Sequence, residues 1–460
     1  MTLGRPSRAS MVAFRGWRAL RHRNYRLFFV GQLVSLIGTW MQMVAQSWLV
    51  LQITGDPFWL GVVAAAQFGP ILVLGLFGGL IADGLPKRQT LAVTQVVSMI
   101  LAFILFGLTA GHVAEVWHVV VLALLLGVVN SIDMPTRQAF VVEMVGREDI
   151  GNAVALNSAV FNGARIVGPA VAGLTIGATD ISVAFLINAI SFMAVIVAYL
   201  RMDDAELRHP PRLARPTNVR GVFADLGEGL RYVGRTPPVL LPIFVIGLVA
   251  TFGMNFSVVI PALARDVLNA GAEGYGFLMA ASGVGSLVAA LTIAFSGRNR
   301  LALIGLGGAA LGVAELVLAG SESYAISLVA MFVVGAGGIA MAATGNTSIQ
   351  VTVPDALRGR AMSVYTTVFA GSTPVGGLFA GLLASAYGVP FSVAVGGAGS
   401  LIVGLAGYAW YRRIRATIPK APATPARGGR DGTASLTEPR LTETADAGAP
   451  EAVRPSSVAG

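Results

Sequence analysis

Twelve stretches of about twenty mostly apolar residues, the length a helix needs to cross a bilayer, run through the chain at 27–51, 59–82, 89–110, 117–138, 153–176, 181–201, 238–262, 274–296, 301–320, 325–350, 361–386 and 390–411. Charge between and within them is scarce: 12% of residues, against about 25% in soluble domains. In hydrocarbon every backbone polar group must be satisfied internally, which a helix does alone. The fold class expected is therefore an all-α membrane protein with twelve transmembrane helices. A soluble enzyme is excluded, and no catalytic constellation is present. With no Cys, and with His22, His112, His118 and His209 scattered, neither disulfides nor a metal site are expected. No phosphate-cradling GxxxxGK[ST] loop occurs, and no cofactor is expected.

The net charge of +9 is a matter of topology. Seven Arg precede Leu27, seven lie within 201–235, and Lys87, Arg88, Arg137, Arg147, Arg298, Arg300, Arg358, Arg360, Arg412, Arg413, Arg415 and Lys420 fall on the same side of the spans. The opposite loops hold Arg265 and the acids Asp56, Glu115, Asp180, Asp266, Glu273 and Glu322. Basic loops stay inside, so both termini are expected in the cytoplasm and the protein in the bacterial inner membrane, with no nucleic-acid partner. The Arg-rich lead runs straight into the first span, as in an uncleaved first helix.

Segment 202–237 is the longest polar interruption between spans. After Pro210–Pro211 its apolar residues Val219, Val222, Phe223, Leu226, Leu230 and Val233 follow helical spacing, expected of an amphipathic helix on the membrane surface. It divides the chain into a cytoplasmic N-terminal segment (1–26), a first bundle (27–201), this linker (202–237), a second bundle (238–412) and a tail (413–460). The tail is rich in Pro, Ala, Thr, Gly and Glu, the composition of a disordered segment.

The two bundles repeat. Residues 145–174 return at 353–382 with eleven of thirty positions identical, among them Gly151/Gly359, Phe161/Phe369, Gly163/Gly371, Gly168/Gly376 and Gly173/Gly381. A period of 208 residues is too long for a solenoid. It fits two pseudo-symmetric six-helix bundles around a central site.

Polar residues inside apolar spans mark where that site could lie, because each needs a partner or a wet cavity. In span 1, Gln32, Ser35, Thr39, Gln42 and Gln46 form one stripe at helical spacing. Span 4 carries Asn130, Asp133 and Arg137 on one face, with Asp133 and Arg137 four apart and able to pair, and Pro135 between them. Span 5 carries Ser158, Asn162 and Arg165, the most deeply placed cation, which could pair with Asp133 or meet an anionic substrate group. Its Gly163, Gly168, Pro169 and Gly173 favour close packing. In the second half Asn255, Asn346, Tyr365, Thr366 and Thr367 are polar and uncharged. Glu315 is expected at the periphery, toward the outer end of span 9. Structural hydrogen bonding between helices is the alternative for the span 1 stripe, and neutralisation of an interfacial Arg for the span 4 pair.

The loop after span 2, Gly79-Leu80-Ile81-Ala82-Asp83-Gly84-Leu85-Pro86-Lys87-Arg88, resembles the signature of the major facilitator superfamily. The resemblance implies that Gly79, Asp83, Lys87 and Arg88 form a latch closing the inner side. The family usually has Arg after the Asp and Gly before the basic pair; Gly84 and Pro86 stand here. Gly168-Pro169-Ala170-Val171-Ala172-Gly173 resembles the Gly-Pro signature of its proton-driven exporters. The exporters' span 4 Arg has no counterpart in the apolar run 121–126, and Arg137 or Arg165 is the available substitute. Asn24-Tyr25-Arg26 with Gly31-Gln32-Leu33-Val34-Ser35 through Gln42 is similar to the branch containing enterobactin exporters and macrolide-efflux proteins.

These readings converge on a monomeric secondary transporter. It is expected to export a small amphipathic molecule by proton antiport and alternating access, with Asp133, Arg137 and Arg165 coupling the protons. An uncoupled facilitator or importer, and a sensor or scaffold that transports nothing, are the rivals.

Overall fold

The computed structural model describes residues 17–208, 219–296 and 301–415; the side chains of 76–84, 219–220, 222–225 and 356 are outside the described set. The elements are helices throughout: α1 (Arg23–Thr54), α2 (Phe58–Gly84), α3 (Lys87–Ala110), α4 (Val116–Ala178), α5 (Ile181–Leu200), α6 (Val219–Arg235), α7 (Pro237–Phe252), α8 (Phe256–Asp266), α9 (Gly271–Ser296), α10 (Ala302–Ala319), α11 (Tyr324–Thr352), α12 (Asp355–Tyr387) and α13 (Val389–Ile414).

Two departures from the twelve spans have local causes. Spans 4 and 5 run together as α4, whose 63 residues would reach about 95 Å as one rod, roughly three bilayer cores. The rod is broken at Gly146, where φ is +72°, a conformation open to glycine and costly for other residues. A β-carbon there would strike the Arg208 guanidinium. Span 7 divides into α7 and α8 across Gly253–Asn255, and the Asn255 side chain caps the break by donating to Thr251 O at 2.8 Å. The linker's helix is present as α6. Residues 1–16, 209–218, 297–300 and 416–460, which include Pro210–Pro211, Arg298, Arg300 and most of the tail, lie outside the described residues.

The two halves pack by the same rules. Gly31 of α1 lies against Ala194 O of α5, and Gly407 of α13 against Val245 of α7. Gly127 of α4 faces Gln67 O of α2, and Gly335 of α11 faces Ser282 O of α9. In each case an added β-carbon would press on the neighbouring helix. These small-residue seams are how membrane helices gain contact where lipid offers no hydrophobic drive. The outer surface is apolar, with Val93, Leu200, Phe295, Val329 and Ile402 all more than 60% exposed, as a lipid-facing belt requires.

Candidate transport site

The ends of the bundle differ. At the end remote from the termini, the far side, the halves are sealed. Arg265 of α8 donates to Leu51 O (2.8 Å) and Gly55 O (3.1 Å) at the end of α1. Trp48 of α1 stacks on Tyr275 of α9 with centroids 6.3 Å apart. A β-carbon on Gly173 would lie 2.9 Å from Ala272 O, and one on Gly381 would lie 3.0 Å from Pro57 O. Gly173 and Gly381 are the repeat's partners, so α4–α9 and α2–α12 are the same contact made twice. At the termini side three described ion pairs join residues within one half or a half to the linker, and none of the three joins one half to the other. Lys87 Nζ meets Glu143 Oε1 at 2.7 Å, Arg88 meets Asp204 at 2.6 Å, and Arg360 meets Glu228 at 3.0 Å. Val154 and Phe161 of α4 are exposed at 55% and 47%, and Phe369 of α12 at 36%.

Asp133 sits at the centre of the first half, 1% exposed. Its Oδ1 accepts from Thr94 Oγ1 at 2.7 Å and Gln95 Nε2 at 2.9 Å, both on α3. Its Oδ2 is paired with Arg137 one turn away, and Arg137 Nη1 donates to Gln32 Oε1 of α1 at 2.8 Å. An unpaired buried carboxylate would cost several kcal/mol, on the order of the effective penalty for any buried ion. Three donors offset that cost here. Two donors of the cluster, Gln32 Nε2 and Arg137 Nε, have no partner, so the network holds spare hydrogen-bonding capacity beside the carboxylate.

The rest of the span 1 stripe divides. Gln42 is 9% exposed and accepts from Asn188 Nδ2 of α5 at 2.5 Å. Gln46 donates to Gln67 Oε1 of α2 at 3.2 Å. Ser35 is buried, and the exposed Thr39 donates to Ser35 O at 2.9 Å. Asn130 is half-buried.

Arg165 lies apart from this network. Its guanidinium sits 5.9 Å over the Trp40 ring and reaches Ser282 Oγ of α9 at 3.5 Å. Of the two partners open to it in the sequence, Asp133 is taken by Arg137. A cation this deep costs about 3 kcal/mol on insertion scales, and one long contact and a ring face offset it only in part. Phe161 closes edge-on against Trp40, centroids 5.7 Å apart. Asn162 donates to Ser158 O at 2.8 Å. Gly168 is pressed against Trp40 Cβ and Ile37 O, and the Pro169 carbonyl against Gly276, whereas Gly163 borders open space.

In the second half Tyr365 stacks on Phe369 at 6.2 Å, Asn346 accepts from Gln350 at 2.5 Å, and Asn255 is 4% exposed. Glu315 corrects an expectation. It is 4% exposed rather than peripheral, wedged between Gly397 of α13 and the α7–α8 break beside Gly253 and Ser400. Gly79 and Asp83 belong to α2, and their side chains lie outside the described residues.

Sequence reading missed Thr94 and Gln95, although the run Thr94, Gln95, Ser98 in an otherwise apolar span was a visible signal. It also missed Asp149, which is 3.0 Å from His22 and 3.3 Å from Arg18. The His22 hydrogen bond first, then Arg18 and Arg21, hold its carboxyl below the usual carboxylate range.

Residues 14–424 match the model of a family described as transmembrane secretion effector. The chain belongs to this family. It is a multi-pass membrane protein and a secondary transporter that exports small molecules. The chain is 31% identical to the multidrug efflux pump Tap of Mycolicibacterium fortuitum, over 79% of this chain and 90% of that one. It is 23% identical to the staphyloferrin A transporter of Staphylococcus aureus, over 86% of this chain and 98% of that one. Its fold is similar to that of a bacterial homologue of the lysosomal transporter Spinster in an inward-facing, unoccupied conformation, with TM-score 0.65, 12% identity and coverage of 88% and 99%.

Proposed function

We propose that this secretion effector exchanges protons for its exported substrate by alternating access, and that Asp133 carries the proton. The supporting observation is the Asp133 cluster: a carboxylate buried in a transmembrane helix, held by Thr94, Gln95 and Arg137, with Gln32 tying the arginine to α1. Protonation of Asp133 cancels the charge that holds Arg137. The guanidinium is then free to re-pair, and α1, α3 and α4 lose their common anchor. A change of charge in one half is thereby converted into a change of helix packing, which is what coupling needs.

In this reading the termini side is cytoplasmic, and the sealed far side faces outward. The halves 27–201 and 238–412 rock as bodies about the midplane, in a monomer. Lys87–Glu143 ties α3 to α4 and Arg88–Asp204 ties α3 to the linker at the inner end, while closure of the inner side in the outward-facing state is the role proposed for Gly79, Asp83, Lys87 and Arg88. The cavity between halves is lined by Asn130, Asn162, Arg165 and Tyr365, together with Trp40, Phe161 and Phe369. Small amphipathic molecules fit such a mixed wall. The relatives' cargoes, a siderophore for one and multiple drugs for another, support that class.

Proteoliposomes with an imposed pH gradient test the reading. Uptake of staphyloferrin A, or of an anionic amphipathic drug, should rise with the gradient in the unaltered protein. Asp133→Asn should still exchange substrate for substrate, with no response to the gradient. A full pH response in Asp133→Asn removes Asp133 from the coupling.

A further inference from the structure

We infer that the exported substrate carries a carboxylate or like oxyanion next to a flat apolar body, and that Arg165 with Trp40 and Phe161 is the subsite that receives it. The inference rests on the export reading and specifies the chemistry of its cargo.

The argument starts from an imbalance. Arg165 presents five N–H donors, and its described polar contact is Ser282 Oγ at 3.5 Å. No carboxylate lies within 4.0 Å of it among the described residues, where Asp133, Glu143 and Asp149 each have their own cation. Arg137, by contrast, is bonded to an acid and an amide. Two arginines of the same half thus stand in opposite conditions: one neutralised within the fold, one kept charged and unpaired at the seam with α9. An intramembrane cation left in that state is held for something that arrives. Its planar fork matches the two oxygens of a carboxylate.

The walls specify the rest of the molecule. Trp40 lies under the guanidinium at 5.9 Å and meets Phe161 at 5.7 Å with a 69° interplanar angle. Phe161 is 47% exposed, so the aromatic corner is open on one side. A ligand whose oxyanion reaches Arg165 places its body against that corner. The repeat shows what is specific to this position. Thr373 stands where Arg165 does in the first half, and Tyr365 and Phe369 form a neutral aromatic wall there. The first half thus offers a charged subsite and the second an apolar wall, which suits an amphipath with a single anionic end.

The test compares three forms of one probe: 2-naphthoate, its neutral amide and the naphthylmethyl-trimethylammonium cation. Binding is measured by equilibrium dialysis against the protein in lipid nanodiscs, with empty nanodiscs as the blank. Naphthoate should bind about tenfold tighter than either other form, as a charge-assisted pair gives. Arg165→Lys should keep the order and Arg165→Gln abolish it. The inference is overturned if the ammonium form binds as tightly as naphthoate, if naphthoate shows no saturable binding, or if Arg165→Gln leaves its affinity unchanged. The comparison of the three probes on the unaltered protein stands even where the Gln variant fails to fold. Flux of the same probes in proteoliposomes separates this inference from the export reading. Preferential naphthoate binding without flux of any probe upholds the subsite and counts against export. Equal flux of the ammonium form and of naphthoate through the unaltered protein overturns the subsite and leaves export intact.

Discussion

Replacing Arg265 by Ala should open the far side. The arginine ends α8 in the second half and donates to two carbonyls at the end of α1 in the first, Leu51 O at 2.8 Å and Gly55 O at 3.1 Å. Those carbonyls lie at the negative end of the α1 dipole, where a cation is favoured, although Leu51 O also accepts from Gly55 N at 2.9 Å. Fully buried, two hydrogen bonds from a charged donor would contribute about 1.5–3 kcal/mol each. The side chain is 29% exposed, so solvent screening reduces each to about 1 kcal/mol. Loss of about 2 kcal/mol from the closed state alone shifts the closed-to-open ratio about 30-fold. The chain has no cysteine, so a single probe reports without background. Ala272→Cys places a thiol on α9 at a residue 8% exposed, on the seam with Gly173 of α4. Its reaction with a membrane-impermeant maleimide should quicken about 30-fold in Arg265→Ala, by the same free energy. A rate within about threefold of the parent would mean that Arg265 caps α1 without holding the halves together.

Other seams make their own predictions. Gly173→Val puts side-chain carbon where Ala272 O and Glu273 Cα lie 2.9 and 3.0 Å from the first added atom; it should drive the same thiol into its reactive, open state, and unaltered labelling would show that the seam can yield. Lys87→Glu sets a like charge against Glu143, at present 2.7 Å away, and should abolish transport, with activity regained in Lys87→Glu combined with Glu143→Lys; failure of the reversed pair would show that the contact does more than join the two helices. Asp149 has its carboxyl lowered by the His22 hydrogen bond and by Arg18 and Arg21. Its contribution is therefore complete above about pH 4, the unfolded carboxylate value, and is lost as pH falls through the lower folded value. Hydrogen exchange in residues 17–22 should stay constant from about pH 7 to about 5 once corrected for intrinsic rates, and faster opening already in that window would refute the assignment.

How much of this was legible in the sequence depended on the range of the interaction. Span lengths are set by bilayer thickness, so α1, α3 and α5 fall where apolar runs place them. The Asp133–Arg137 pair is one helical turn long and could be read from spacing alone. Its other partners could not. Thr94, Gln95 and Gln32 are brought to Asp133 by α3 and α1, and nothing within a single helix says which polar residues will meet across the bundle. The span 1 stripe was visible as a stripe. That Gln42 turns to Asn188 and Gln46 to Gln67 depends on which neighbour carries an amide at the right depth. Gly146 was hidden for the opposite reason: in a chain with 57 glycines, one needed for a positive φ inside a helix has no local mark. The break at Gly253–Asn255 was obscured because α7 and α8 together are apolar enough to read as one span. Arg265 was seen as the lone basic residue of the outer loops, but besides its neighbour Asp266 its partners across the seam are backbone carbonyls, which sequence does not distinguish.

The repeat gives the two halves one set of contacts and two different chemistries. Gly168 rests on α1 and Gly376 on α7; Gly173 meets α9 and Gly381 meets α2. Each contact maps onto its partner when the halves exchange, so either half can rock against the other with the same packing cost. Such a scaffold has no intrinsic preference for one direction. Direction must come from what breaks the symmetry, and the charges do that. Asp133 corresponds to Met341 and Arg165 to Thr373, so the second half answers the charged cluster with neutral surface. Its buried acid, Glu315, sits away from this correspondence, between α10, α13 and the α7–α8 break. In the proposed exchange, a proton arriving at Asp133 would change the packing of α1, α3 and α4 while the second half keeps its own. On that proposal one half does the work of coupling, and the other serves as the surface it moves against.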